Sequence, residues 1–85
     1  MTHVCNLIFL IARSLARYPE KVKVREIGYG RVRIIYLYCD REDVGRIVGR
    51  FGSCAKAMRV ISYNLGVKMG LKYRVEIEET EKKIH

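Results

Sequence analysis

The chain has 85 residues, which is enough for one small domain and no more. Its formal net charge of +8 at pH 7 predicts an anionic partner, most often nucleic acid and less often a membrane surface. Three cysteines without Cys-x-x-Cys spacing, and two histidines near opposite ends, argue against a disulfide framework, a zinc site or any other metal site. Small core cysteines in a reduced, cytoplasmic protein are the expectation, with no cofactor.

Residues 3–18 are predicted to form the first helix, because apolar side chains recur along them at helical spacing. These are Val4, Leu7, Ile8, Ile11 and Leu15, and Pro19 follows the helix. Phe9 is left poorly accounted for by this core stripe. The run 7–12 is far shorter than the roughly 20 residues that a membrane span needs. The polar face of the helix is narrow, so core packing is favoured over membrane attachment.

Alternating apolar residues predict a strand at 21–27, and a run rich in β-branched and aromatic residues predicts a second at 31–39, with a turn at 28–30 between them. Val22 and Val24 would face inward on the first strand. The second strand is apolar on both faces, which is typical of a central strand. Residues 71–78 form the third predicted strand, with its inward side chains at Leu71, Tyr73, Val75 and Ile77.

Between the second and third strands, the pattern predicts two helices separated by a glycine turn at 49–52. Asp40 is the expected N-cap of the first, with Asp43 in its first turn, and Ser53 can cap the second. That helix is predicted to run to Met69 with Gly70 as its C′ residue. Gly66 inside it is expected to fray the end. The residues expected along its core side are Ala55, Met58, Ile61, Ser62, Leu65 and Met69.

The resulting order α-β-β-α-α-β predicts an α+β fold with three helices on one face of a three-stranded sheet. We expect a single domain over 1–85. Its ordered core would cover about residues 3–78, and a flexible charged tail would follow at 79–85.

The glycine turn is the stretch with the clearest chemistry. Its residues are Gly49, Arg50, Phe51 and Gly52, and a helix N-terminus with a positive dipole end follows. Glycine lets the backbone take unusual dihedrals and approach another backbone closely. A Gly-x-x-Gly turn alone is common, but the context Val-Gly-x-Ile-Val-Gly-x-x-Gly-x-x-Ala-Lys-Ala is much more specific.

Several short segments carry a family resemblance. They are Tyr-Pro-Glu at 18–20, Val22, Val-Arg-Glu-Ile at 24–27, the run 43–49, Gly52, Ala-Lys-Ala-Met-Arg at 55–59 and Val-Glu-Ile at 75–77. With the element order, they resemble a type II KH domain. Over about residues 5–78, the chain resembles the small stand-alone bacterial KH proteins of the KhpA type. The resemblance implies a cytoplasmic protein whose loop grips the backbone of single-stranded RNA, pairing with itself or with a KH protein of the KhpB type.

The candidate RNA-binding residues are Arg46, Ile47, Val48, Gly49, Arg50, Phe51, Gly52, Ser53, Lys56 and Arg59. Ile47 or Val48 would form the floor of a narrow groove for bases. Phe51 departs from the family, in which both inner loop positions are usually basic or polar. Its ring could stack on an unpaired base or contact a partner subunit, and both interpretations stay open.

The main alternative is a protein-interaction or assembly module on a KH scaffold. A second apolar stripe on the last helix supports it, formed by Val60, Tyr63 and Val67. An enzyme is not expected, because no carboxylate pair lies in an apolar setting and no Cys–His pairing is indicated. The glycine loop also lacks the Lys-Ser/Thr ending of a P-loop.

Overall fold

One strand of the sheet lies between the other two. The computed structural model describes residues 3–80, and β2 (Val32–Cys39) lies between β1 (Lys23–Tyr29) and β3 (Lys72–Glu79). β1 is antiparallel to β2, and β3 is parallel to it. A parallel pair cannot be closed by a tight turn, so the chain must cross over between β2 and β3.

Helices supply the crossover and the layer above the sheet. α1 (His3–Leu15) precedes β1, while α2 (Val44–Val48) and α3 (Ser53–Lys68) connect β2 to β3. Three short 3-10 turns lie at Pro19–Lys21, Arg41–Asp43 and Arg50–Gly52. The predicted α+β order is confirmed. No helix among residues 3–80 is long and apolar enough to cross a membrane.

The core lies between the helices and one face of the sheet. On β2 the side chains of Ile35, Leu37 and Cys39 are fully buried. Side chains from all three helices pack on them, including Ile8 and Ile47. Burying this face removes apolar surface from water, which is the main driving force for folding.

The hairpin differs from its predicted position by one or two residues. Tyr29 pairs with Val32, so the turn contains two residues, Gly30 and Arg31, and not 28–30. Gly30 has a φ of 60°, which suits a two-residue hairpin turn. β1 begins at Lys23 rather than 21, because the 3-10 turn after Pro19 occupies the preceding residues.

α1 ends earlier than predicted, and the reason is a side chain that is distant in sequence. The backbone amides of Arg17 and Tyr18 donate to the carboxylate of Asp43, at 2.8 and 2.9 Å, instead of continuing the helix. Asp43 was expected only as a first-turn charge, yet it is fully buried. Asp40 does cap its turn, since its side chain accepts from the Glu42 amide.

Phe9 contributes to the core, although the sequence left it unaccounted for. Phe9 is half-buried and packs against the core, with the guanidinium carbon of Arg13 5.3 Å from its ring centroid. In α1, Leu10 is 58% exposed and Leu15 is 38% exposed, so the prediction of Leu15 as a core residue was wrong. The expectation that Phe9 is unaccounted for by the core was therefore wrong.

The end of α3 is firmly closed. Gly70 has a φ of 71°, its amide donates to Val67, and the Leu71 amide donates to the Gly66 carbonyl. This is a Schellman cap, so Gly70 is the C′ residue as predicted and the fraying expected at Gly66 is not seen. Ile61 and Met69 were expected on the core side of α3. Both are exposed in the structure, Ile61 to 40%, so this expectation was wrong.

The last described residues belong to the sheet. Glu79 ends β3, and the Thr80 amide donates to the Cys39 carbonyl at 2.6 Å. From residue 81 onward, the predicted charged tail lies outside the described residues.

Two glycines give opposite predictions for alanine substitution. A Cβ on Gly66 would lie 2.7 Å from the Leu71 carbonyl oxygen and 2.8 Å from Tyr73, so G66A should lower the free energy of unfolding by about 1–3 kcal/mol. A Cβ on Gly45 in α2 meets nothing within 4 Å, so G45A should raise it by about 0.4–1 kcal/mol. Urea denaturation of both variants measures this, and equal effects would contradict the close helix–strand approach at Gly66.

Candidate nucleic-acid interface

The loop between α2 and α3 depends on both of its glycines. Gly49 has a φ of 83° and Gly52 a φ of 74°, and the Gly52 amide donates to the Gly49 carbonyl at 3.0 Å. A Cβ on Gly49 would also lie 2.8 Å from the Cys54 backbone nitrogen. Side chains at these positions would be strained, so the turn requires glycine twice.

Phe51 is the unusual residue of this loop. It has φ 56° and ψ 27°, and it is the one non-glycine residue with positive φ among residues 3–80. Its side chain is also 100% exposed. A bulky residue in the left-handed region costs about 1–2 kcal/mol, and the exposed ring contributes nothing to the core. Strain of this kind, where folding gains nothing, motivates a functional hypothesis for Phe51.

The start of α3 differs from the prediction. Its N-cap is Gly52, and Ser53 is the first helical residue and makes no capping hydrogen bond. The first turn of α3 carries no acidic residue. The positive dipole end of a 16-residue helix therefore faces the loop without a carboxylate in its own first turn to oppose it.

Of the four basic residues predicted for the site, two have side chains held by contacts within the protein. Arg46 Nε lies 3.4 Å from the buried Asp43 carboxylate, and Arg59 Nε donates to the Val75 carbonyl at 3.1 Å. Both guanidinium groups are thus held in position by the protein. Arg50, within the loop, and Lys56, one turn into α3, are exposed.

Ile47 does not lie where the groove hypothesis placed it. Its side chain is fully buried in the core beneath α2, so it offers no surface to a ligand. Val48, the other candidate for the groove floor, is half-buried. The role of Ile47 is to hold α2, and hence the loop that follows, against the sheet.

A cleft of about 640 Å³ begins one turn from the loop and lies between α3 and the edge strand β3. Its lining residues are Lys56, Arg59, Val60, Tyr63, Tyr73, Arg74, Val75 and Glu76. The sequence indicated the α3 wall through Lys56 and Arg59 but missed the β3 wall. Which strand adjoins α3 depends on strand order, and local patterns carry no direct signal for it.

The second apolar stripe of α3 is exposed as predicted, but it divides into two parts. Val60 and Tyr63 are each 51% exposed and line the cleft, whereas Val67, at 57%, lies beyond its lining. Two of the three residues predicted for an interface therefore belong to the wall of the cleft.

Two of the three cysteines, Cys5 and Cys39, are buried and offer no reactive thiol. Burial, followed by the nearby carboxylates of Asp43 and Asp40, raises the pKa of the Cys39 thiol to about 11. Burial, and then Glu26, also raises the pKa of Cys5. Thiols with raised pKa values are poor nucleophiles at neutral pH. Within residues 3–80, no group of three His, Cys, Asp or Glu side chains is arranged to hold a metal ion.

The strain at Phe51 predicts a stability gain on substitution. F51N should raise the free energy of unfolding by roughly 0.5–1 kcal/mol, because asparagine tolerates the left-handed region better than phenylalanine. F51L keeps both the strain and an apolar side chain, so it should leave stability within about 0.5 kcal/mol of the unmodified protein. Guanidinium denaturation compares the three proteins, and a destabilised F51N would show that the ring supports the fold.

Comparison with known proteins agrees with this geometry. The family model described as KhpA/KhpB, KH domain, matches residues 6–77. The protein named RNA-binding protein KhpA from Lactiplantibacillus plantarum is 32% identical over 83 residues, which cover 98% of each chain. Proteins of the same name from Aquifex aeolicus and Clostridium perfringens are 32% and 37% identical, over 93% and 85% of this chain and 100% and 96% of theirs. No solved structure gives a significant match. The chain belongs to the KhpA/KhpB family of KH-domain proteins.

Proposed function

We propose that this protein binds single-stranded RNA in the cytoplasm without catalysing a reaction on it. The observation that carries the proposal is the loop 49–52, which is glycine-bounded, exposed and surrounded by basic side chains. The cleft between α3 and β3 begins one turn from this loop, at Lys56. The curated relatives carry the name RNA-binding protein, which supports the same conclusion.

The loop would hold the sugar–phosphate backbone. Two positive-φ glycines let a phosphate approach the main chain closely, as in the Gly-x-x-Gly clamp of KH domains. Arg50 and Lys56 are exposed beside it and contribute charge, and the α3 dipole adds to their attraction. These contacts fix the position of the strand but carry no sequence information.

The cleft would receive the bases. On the α3 wall, the half-exposed ring of Tyr63 and the anchored guanidinium of Arg59 present flat groups on which a base can stack. On the β3 wall, Glu76 offers a carboxylate acceptor for a base amino group. Bases can enter such a cleft only when they are unpaired, so single strands are favoured over duplexes.

Phe51 would add a stacking surface at the entrance. Its fully exposed ring lies in the loop that holds the backbone. Stacking on an aromatic side chain is worth about 1–3 kcal/mol per base, which is comparable with the strain at this residue. Base stacking thus explains why a strained aromatic residue occupies a position that is usually basic or polar.

The double variant R50D/F51D tests the loop. Two carboxylates facing the phosphates should abolish binding of a short unstructured RNA, while the fold is retained because both positions are exposed. A charge-matched control is R31D/K68A, since Arg31 in the hairpin turn and Lys68 in the last turn of α3 lie away from the loop. RNA binding is measured by fluorescence anisotropy. Equal losses in both variants would mean that net charge, and not the loop, binds RNA.

A second candidate function is assembly through α3, with a second copy of the chain or a KH protein of the KhpB type. The supporting observation is Val67, which is 57% exposed on the same helix as Val60 and Tyr63. Exposed apolar patches of this kind often mark an interface. A two-fold contact through α3 would cover the patch on both copies and would also join two loops in one particle.

V67E tests assembly without touching the cleft, since Val67 is not part of its lining. A buried carboxylate in the interface should convert a dimer to a monomer and leave binding of a short RNA unchanged. K68E changes the neighbouring exposed residue and serves as the control. Sedimentation of all three proteins gives the result. A monomeric unmodified protein that copurifies with no KH partner would refute the proposal.

A further inference from the structure

We propose that the outer face of the sheet, opposite the helices, is a second RNA-binding surface that continues the cleft. This inference rests on the proposed function, because it extends the path of the same RNA strand. The surface is formed by the outward side chains of all three strands. It is defined by Lys23, Arg25, Ile34, Tyr36, Tyr38, Arg74, Glu76 and Glu78.

The alternation of β2 divides its side chains between the two faces. Ile35, Leu37 and Cys39 are fully buried under the helices. Tyr36 and Tyr38 therefore point to the opposite face, where they are only partly buried. The central strand of this sheet thus presents aromatic rings away from the core, although folding requires only its inner face to be apolar.

The two tyrosine rings lie close together on this face. Tyr36 and Tyr38 are stacked, with ring centroids 6.4 Å apart and ring planes inclined by 22°. Aromatic residues on the open face of a sheet are how some RNA-binding domains stack two or three bases. Such stacking tolerates any sequence because every base has a π-face.

Charges flank the rings differently on their two sides. On β1, Lys23 pairs with Tyr38 and Arg25 with Tyr36, and both basic side chains are exposed. On β3, Glu76 lies beside Tyr36 in the register and Glu78 beside Tyr38. Phosphates would follow the basic β1 flank, and base amino groups would meet the carboxylates of β3.

The cleft and the outer face meet at β3. Arg74 and Glu76 line the cleft, and in the sheet they pair with Ile34 and Tyr36, two outward residues of β2. β3 is an edge strand, and neighbouring strands lie about 4.8 Å apart. An RNA chain that leaves the cleft therefore has to cross only β3 to reach Tyr36.

A polyanion suits this face better than a second copy of the chain. The net charge of +8 attracts RNA, and the basic side chains of β1 lie on this face. The contact with the cleft through Arg74 also places the face where a bound strand would emerge. We therefore assign the face to single-stranded RNA, and self-association becomes an outcome of the test.

The experiment compares two unstructured RNAs of about 4 and about 12 nucleotides, since a KH clamp holds about four. Y36V/Y38V removes both rings and keeps β-branched residues in the strand. It should lose on the order of tenfold in affinity for the long RNA and little for the short one. Y36F/Y38F keeps the rings and should bind both RNAs like the unmodified protein. The affinity for each RNA is compared between the unmodified protein and the variants. The larger number of binding registers on the long RNA affects all of these proteins equally and does not change the comparison.

Several results would overturn the proposal. If Y36V/Y38V binds the long RNA as tightly as the unmodified protein does, the outer face does not bind RNA. An equal loss of affinity for both RNAs leads to the same conclusion. A dimeric unmodified protein that becomes monomeric in Y36V/Y38V would assign the face to self-association. If Y36V/Y38V fails to fold, K23A/R25A decides, because both side chains are exposed. It should weaken only the long RNA, and no selective loss would refute the surface. Failure of the unmodified protein to bind even the short RNA would instead refute the proposed function.

Discussion

The position of the loop depends on one buried carboxylate. Asp43 accepts hydrogen bonds from the Arg17 and Tyr18 amides, and its carboxylate lies 3.4 Å from Arg46 Nε. Removing a carboxylate from water is costly unless hydrogen bonds and an opposite charge replace the lost hydration, and here both are present. The chain leaving α1 is thereby tied to the first residues of α2. Because α2 has only five residues, this attachment also sets where the loop begins.

Close backbone approach at two glycines determines the other side of the interface. At Gly66, α3 comes so near to Leu71 and Tyr73 that no Cβ could fit, and at Gly49 the loop lies against Cys54. The first contact fixes the distance between α3 and β3, and therefore the width of the cleft. The second fixes the entry of α3 relative to the loop. The candidate interface is thus closely packed where it meets the core, and the strain at Phe51 lies on its exposed rim.

Sequence patterns predicted what is local and missed what is distant. The alternation in β3 and the left-handed Gly70 follow from neighbouring residues, and the structure confirms them. Asp40 caps the 3-10 turn before α2 rather than α2 itself, whose N-cap is Asp43. The burial of Asp43 could not be predicted, since its partners lie 25 and 26 residues away. Ile47 was placed in the groove because an apolar residue beside a functional loop fits a groove and a core equally well. Tertiary packing alone distinguishes the two.

The division of the α3 stripe would link RNA binding to the proposed assembly. Val60 and Tyr63 line the cleft, whereas Val67 lies beyond it. A partner that covered all three residues would also cover one wall of the cleft and compete with bases for it. A partner that rested mainly on Val67 and the end of α3 would leave the cleft open. It would also bring two loops together, so that one RNA could engage both with a gain in avidity. The contact area around Val67 would therefore decide whether the proposed assembly inhibits or strengthens RNA binding.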